Sequence, residues 1–145
     1  MSLSDWLKYG WLTEHHPTSE EIGDLLSIVE RDLADSELDA LSPDWKLNIA
    51  YNAALQAATA ALAACGYRAA RESHHYRVIQ SLAYTIGAPG SLMARFDLFR
   101  KKRNLGGYER AGAISDQEAR EMIALAREID SDVRRWLAAH HPDLL

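Results

Sequence analysis

The sequence predicts an all-α protein, an up-and-down bundle of about five helices, and three observations carry that expectation. Apolar residues recur at spacings of three and four along most of the chain. Helix-starting and helix-stopping residues bracket each periodic segment. Strand-like alternation is scarce.

The elements follow in order. Ser4-Asp5 suits the cap of a short helix, "DWLKYGWL", and the His15-His16-Pro17 corner ends that segment, because proline disfavours helix in the residue before it. In "TSEEIGDLLSIVERDLADSELDAL", Thr18 and Glu21 have capping-box spacing. Ile22, Leu25, Leu26, Val29 and Leu33 then form one amphipathic stripe. Ser42-Pro43 opens the next helix, with serine as N-cap and proline at the first helical position. That helix runs through "PDWKLNIAYNAALQAATAALAAC" to a stop at Gly66. It is apolar almost all round and rich in alanine, the pattern of a central helix with close neighbours on several sides. "SHHYRVIQSLAYTIG" reads as a further helix, closed by Gly87-Ala88-Pro89-Gly90. "SLMARFDLFRKKRN" follows and is stopped by Gly106-Gly107, with Phe96, Leu98 and Phe99 expected toward the core. The segment from Ser115 to Glu118 caps the last helix, whose apolar face is Met122, Leu125, Ile129, Val133, Trp136 and Leu137, and Pro142 ends it.

No internal repeat or linker divides the chain, so residues 1–145 read as one domain, a size able to bury a core. No apolar run reaches the roughly 20 residues of a membrane span. The N-terminus lacks the basic start and apolar stretch of a signal peptide. A single cysteine, Cys65, excludes an internal disulfide and a cysteine-based zinc site, and its alanine surroundings suit a small core residue. The expectation is a cytoplasmic protein with no membrane association.

The formal net charge of −5 argues against nucleic-acid binding by the whole surface. The charge is uneven, however. Between Arg95 and Arg110 six basic residues meet two acidic ones, a local +4, so the rest of the chain sums to −9. Phosphate-binding glycine motifs and the nucleophile elbow of hydrolases are missing. The histidines come in adjacent pairs, His15-His16, His74-His75 and His140-His141, which point about 100° apart in a helix and chelate one metal poorly. The expectation is therefore no metal and no cofactor.

Two places carry polar chemistry. Asn48 and Asn52 share a face of the central helix, with Asp44 a turn earlier. They read either as a satisfied core network or as the wall of a cleft or dimer seam. "FRKKRNLGGYER" packs Arg100, Lys101, Lys102 and Arg103 together, with Arg103 and Asn104 in the last helical turn ahead of two glycines. It reads either as helix-end chemistry, with cations opposing the helix dipole, or as an anion-binding site.

Three stretches resemble the HEPN superfamily of small helical domains. "SPDWKLNIAYNAALQAATAALAACGYR" is similar to its long alanine-rich helix with an aromatic in the first half. "SHHYRVIQSLAYTIG" resembles the helix that follows, often opening near a histidine. "FDLFRKKRNLGGYE" resembles the signature of an arginine, a polar residue and then a histidine or tyrosine. Together they span residues 42–110, about half the chain. The resemblance implies a four-helix core with peripheral helices and a homodimer with a basic cleft. It implies binding of nucleotide, RNA or a protein partner, in a toxin–antitoxin or defence setting beside a minimal nucleotidyltransferase antitoxin. Its alternative implication is a metal-independent endoribonuclease acting at Arg103, Asn104 and Tyr108 across a dimer cleft. Arginine then stabilises charge on the scissile phosphate. Tyr108 stands where nuclease members carry histidine, and a phenol is the poorer proton shuttle at neutral pH. By the same resemblance, Tyr108 is a candidate for nucleotidylation. Arg100, Lys101, Lys102 and Arg103 are the expected phosphate or RNA contacts, and Asn48, Asn52 and His75 the expected cleft lining.

Overall fold

A computed structural model describes residues 1–105 and 113–145, with backbone alone at 104 and 105. The described residues form six α-helices and a two-stranded sheet: α1 (Leu3–Lys8), β1 (Leu12–Glu14), α2 (Ser19–Asp35), α3 (Pro43–Ala64), β2 (Tyr67–Ala69), α4 (His74–Ser81), α5 (Gly90–Leu105) and α6 (Asp116–His140). A 3-10 turn, Pro142–Leu144, follows α6. The predicted all-α class holds, and the small sheet is the addition.

Local chemistry accounts for the boundaries. The Ser42 hydroxyl accepts from the Trp45 amide, and Pro43 opens α3. Ser115 and Glu118 close a reciprocal capping box at the start of α6. At α1 the box is Ser2 with Asp5, two residues earlier than Ser4-Asp5 suggested. That helix also stops sooner, because Gly10 adopts a φ of 78° and the chain turns into β1. At α2 Thr18 accepts from the Glu21 amide. The box is not reciprocal, because the Glu21 carboxylate turns instead to His15.

α3 is the axis of the molecule and packs chiefly against α6 and α2. Ala50, Ala53, Ala54, Ala57, Ala58, Ala60 and Ala61 are all fully buried, so neighbouring backbones approach closely. One apolar cluster joins α3 to Val29 of α2, Ile79 of α4, Phe96 of α5 and Ile129 of α6. On α5 Leu92, Phe96 and Phe99 point inward, while Leu98 is 51% exposed. Four-residue spacing from 92 to 96 and three from 96 to 99 define the buried stripe, and position 98 falls about 100° away from 99. Cys65 is half-buried against the core, and burial raises its thiol pKa.

The sheet seats the chain that leaves α3. Gly66 takes a φ of 91°, the left-handed position that ends a helix, and β2 returns antiparallel to β1 with Leu12 opposite Ala69. The His15 amide donates to the Gly66 carbonyl at 2.9 Å, and the Ala70 amide to that of Trp11 at 2.9 Å. These bonds bring the α1–β1 segment beside the C-terminal half of α3.

Candidate functional site

One face of α3 is left partly uncovered. Tyr51, Asn52, Leu55, Gln56, Thr59, Leu62 and Ala63 recur at helical spacing and form the floor of a cleft of about 480 Å³. From Tyr51 to Ala63 the floor runs about 18 Å at the helical rise per residue. Glu21 and Leu25 of α2, the β2 strand, His74, His75 and Val78 of α4, and Arg103 of α5 complete the walls.

The charged end is built by three helices. Arg103 leans over the Tyr51 ring, its guanidinium carbon 5.0 Å from the centroid. The Arg103 Nε is buried and has no hydrogen-bond partner among the described residues. The Tyr51 hydroxyl lies 3.2 Å from His75 Nδ1. Burial, opposed by Arg103 and Arg100, raises the Tyr51 pKa to about 12, so this phenol keeps its proton. Burial first, then the charges of Arg103, His74 and Arg100, lower the pKa of His75. A histidine so depressed is neutral at neutral pH, and the protonated phenol can donate to its Nδ1, which leaves Nε2–H as a second donor. Ser73, at the start of α4, holds a left-handed φ of 54° without a glycine and supplies no side-chain cap. Such backbone is costly and holds His74 and His75 at the lip of the cleft.

Asn52 and Gln56 form a polar chain within the floor. The Asn52 amide donates to Asp32 at 2.7 Å, and the Gln56 amide donates to Asn52 Oδ1 at 3.3 Å. Asp32 is buried and also accepts from Arg31 Nε at 3.0 Å. Asn52 is thereby fixed with its amide oriented, and Gln56 follows. Toward the C-terminal end of α3, His15 Nε2 lies 2.8 Å from both Glu21 carboxylate oxygens.

The basic run splits when placed in three dimensions. Arg100 Nε donates to Asp97 at 2.7 Å, and Lys101 lies 3.5 Å from the same carboxylate. Lys102 pairs with Glu118 at the start of α6. Arg103 alone of the four lines the cleft, and it forms no ion pair among the described residues. Of the expected cleft residues, Asn52 and His75 are there. Asn48 does not line it; its amide donates to the Asp44 carbonyl at 2.9 Å. Tyr108 and the Asn104 side chain lie outside the described residues.

Tyr51, Gln56 and the His15–Glu21 pair were not singled out from sequence. The signal for the first two was present: on an alanine-rich helix, polar or aromatic residues at 51, 52, 56 and 59 trace one stripe. The His15–Glu21 pair had no such signal, because its place at the cleft depends on the β1–β2 pairing.

Among the described residues no three His, Cys, Asp or Glu side chains form a group able to hold a metal ion. No described helix is long and apolar enough to cross a membrane. No family model, no curated protein and no solved structure matches this chain.

Proposed function

We propose that this chain is a HEPN-like phosphate-binding protein that holds a nucleotide or RNA in the cleft along α3. The observation that carries the reading is Arg103. It is the cation of the basic run that enters the cleft, its Nε is buried without a partner among the described residues, and it stands beside the Tyr51–His75 pair. A guanidinium with no ion pair among the described residues, beside neutral hydrogen-bonding groups, suits a bound anion, to which arginine offers a bidentate fork. A floor of oriented amides and a volume within the ordinary range of ligand sites suit the remainder of a nucleotide. The test is thermal stabilisation by inorganic phosphate and by nucleotides. Wild-type protein is expected to gain stability with ligand, and Arg103→Ala to lose that gain while folding normally. No shift with any of these anions overturns the reading.

A second reading, a metal-independent endoribonuclease, is favoured by His75. A neutral histidine beside Arg103 has the pairing of base and cation that RNA cleavage needs, independent of Tyr108. In the tautomer whose Nδ1–H donates to the Tyr51 oxygen, His75 Nε2 accepts the 2′-hydroxyl proton, the 2′-oxygen attacks phosphorus, and the 5′-oxygen leaves with a proton from water, giving a 2′,3′-cyclic phosphate. RNA degradation in EDTA, abolished by His75→Ala and by Arg103→Ala, is the expected result. Intact RNA after incubation with wild-type protein removes this reading and leaves the binding reading standing. The homodimer and the nucleotidyltransferase partner rest on the resemblance, and sedimentation of the purified chain tests the first.

A further inference from the structure

Asp32 of α2 is a buried carboxylate that does not itself line the cleft. Burying a charge is costly unless it is paired and hydrogen-bonded. One oxygen of Asp32 takes the largely exposed Arg31 at 3.0 Å, and the other takes the Asn52 amide at 2.7 Å. A carboxylate accepts hydrogen bonds and cannot donate them, so Asn52 must turn its NH2 group toward Asp32 and its Oδ1 away. That Oδ1 is itself an acceptor, so Gln56 must turn its NH2 group toward it, at 3.3 Å. The end of Gln56 that points away from Asn52 is therefore its carbonyl oxygen. Gln56 lines the cleft, and its Oε1 has no hydrogen-bond partner among the described residues. A free amide can present either end to a ligand. Here the buried charge removes that choice.

We propose that Asp32 sets the specificity of the cleft without touching the ligand. Through Asn52 it holds Gln56 Oε1 as a fixed acceptor, which selects an anion carrying an amino donor over one carrying a carbonyl, or nothing, at the same place. Gln56 is the specificity residue, and Asp32 and Asn52 are positioning residues. The proposal rests on the anion-binding reading of Arg103. Arg103 leans over Tyr51, and Gln56 lies five residues further along α3, about 8 Å of helical rise. The donor of the ligand therefore sits well away from its anionic group, nearer α2. A carbonyl placed against Gln56 Oε1 sets two acceptors against each other and leaves both unpaired, which costs more than a bond that is merely missing. Among nucleotides the distinction falls between adenine and cytosine, whose edges carry an amino group, and uracil, whose edge carries a carbonyl in its place.

The test is binding measured by calorimetry at one fixed salt concentration. The probes are two pairs that differ at the amino position: adenosine against purine riboside 5′-monophosphate, and cytidine against uridine 5′-monophosphate. Wild-type protein is expected to bind the amino member of a pair about ten-fold more tightly. Gln56→Met keeps the length of the side chain and removes the amide, and is expected to bring the ratio close to one. Asp32→Asn keeps the shape of the side chain but can donate as well as accept, so the amide chain is free to reverse. Its ratio is expected to fall toward one although position 32 touches no ligand. Asn52→Ala cuts the same chain and stands in for Asp32→Asn if melting curves show that variant unfolded. A lowered Tm with an unchanged ratio in these two variants makes Asp32 a structural residue and overturns the relay. Wild-type ratios near one in both pairs, or a ratio unchanged in Gln56→Met, overturn the specificity assignment and leave the Arg103 reading intact. Failure of wild-type protein to bind any of the four probes overturns both.

Discussion

Two faces of α3 do opposite work. The buried side of α3 is mostly alanine with a few leucines, and its polar link to α2 is Asn52 donating to the buried Asp32. The face toward the cleft carries Tyr51, Asn52, Gln56 and Thr59. The contrast has a geometric cause. α2 and α6 have 17 and 25 residues and cover α3 along much of its length. The other side is covered by α4, with eight residues, by β2, with three, and by α5 where Phe96 and Arg103 meet Tyr51, against the 22 residues of α3. A helix of eight residues spans about 12 Å and one of 22 about 33 Å, so part of α3 stays open. The alanine face tolerates no change in volume. The polar face is constrained by hydrogen bonds and charge instead.

Four expected outcomes test that contrast. The largest belongs to the buried side. Ile129→Ala on α6 leaves a cavity in the α3 packing and is expected to cost about 2–5 kcal/mol in denaturant unfolding. A smaller cost than that of a surface substitution would mean that the α6 packing is not the source of stability. Next comes Arg103→Ala, whose effect is expected in ligand response and not in folding. At phosphate or nucleotide concentrations one hundred-fold above Kd, wild type gains about 2.7 kcal/mol, and the variant is expected to gain none.

Asn52→Ala sits on the boundary between the two faces. It removes the donor to the buried Asp32 and the acceptor for Gln56, and a cost of about 1–3 kcal/mol is expected. The double variant Asp32→Ala, Asn52→Ala should recover part of the loss, because no buried carboxylate then lacks its amide donor. The mildest effect is the titration of His75. Its pKa lies below the ordinary 6.5 in the folded chain, so between the folded value and 6.5 the unfolded chain binds more protons. The contribution of His75 to stability is therefore full above pH 6.5 and declines as pH falls through that window. In Arg103→Ala, NMR titration is expected to show the His75 pKa moved upward, since one of the charges that depress it is gone. An unmoved value would place Arg103 away from His75 in solution. Tyr51 acts at the opposite end of the scale. Its stabilising effect is present below pH 10 and lost as pH rises toward about 12.

Much of the fold was legible beforehand because its causes are local. Ser42 before Pro43, the Ser115–Glu118 box and the stop at Gly66 act within a few residues of themselves. The β1–β2 pair was not legible, since each strand has three residues and neither shows alternation long enough to read. Arg103, Asn52 and His75, each singled out from the sequence, line one cavity within a single chain, whereas the resemblance implied a cleft shared between two copies. Arg100, Lys101 and Lys102 stood beside Arg103 as equals in the sequence, and only the positions of Asp97 and Glu118 separate them.

The amino-acid sequence alone determined the helical class, the central place of the alanine-rich helix and the location of the basic run, because periodicity, capping and composition are properties of neighbouring residues. Tertiary structure decided which cation faces the cleft and that Tyr51, His75 and Arg103 meet. Those residues lie on three helices, 24 positions apart for the Tyr51–His75 contact, and only the packing of α4 and α5 against α3 closes that distance.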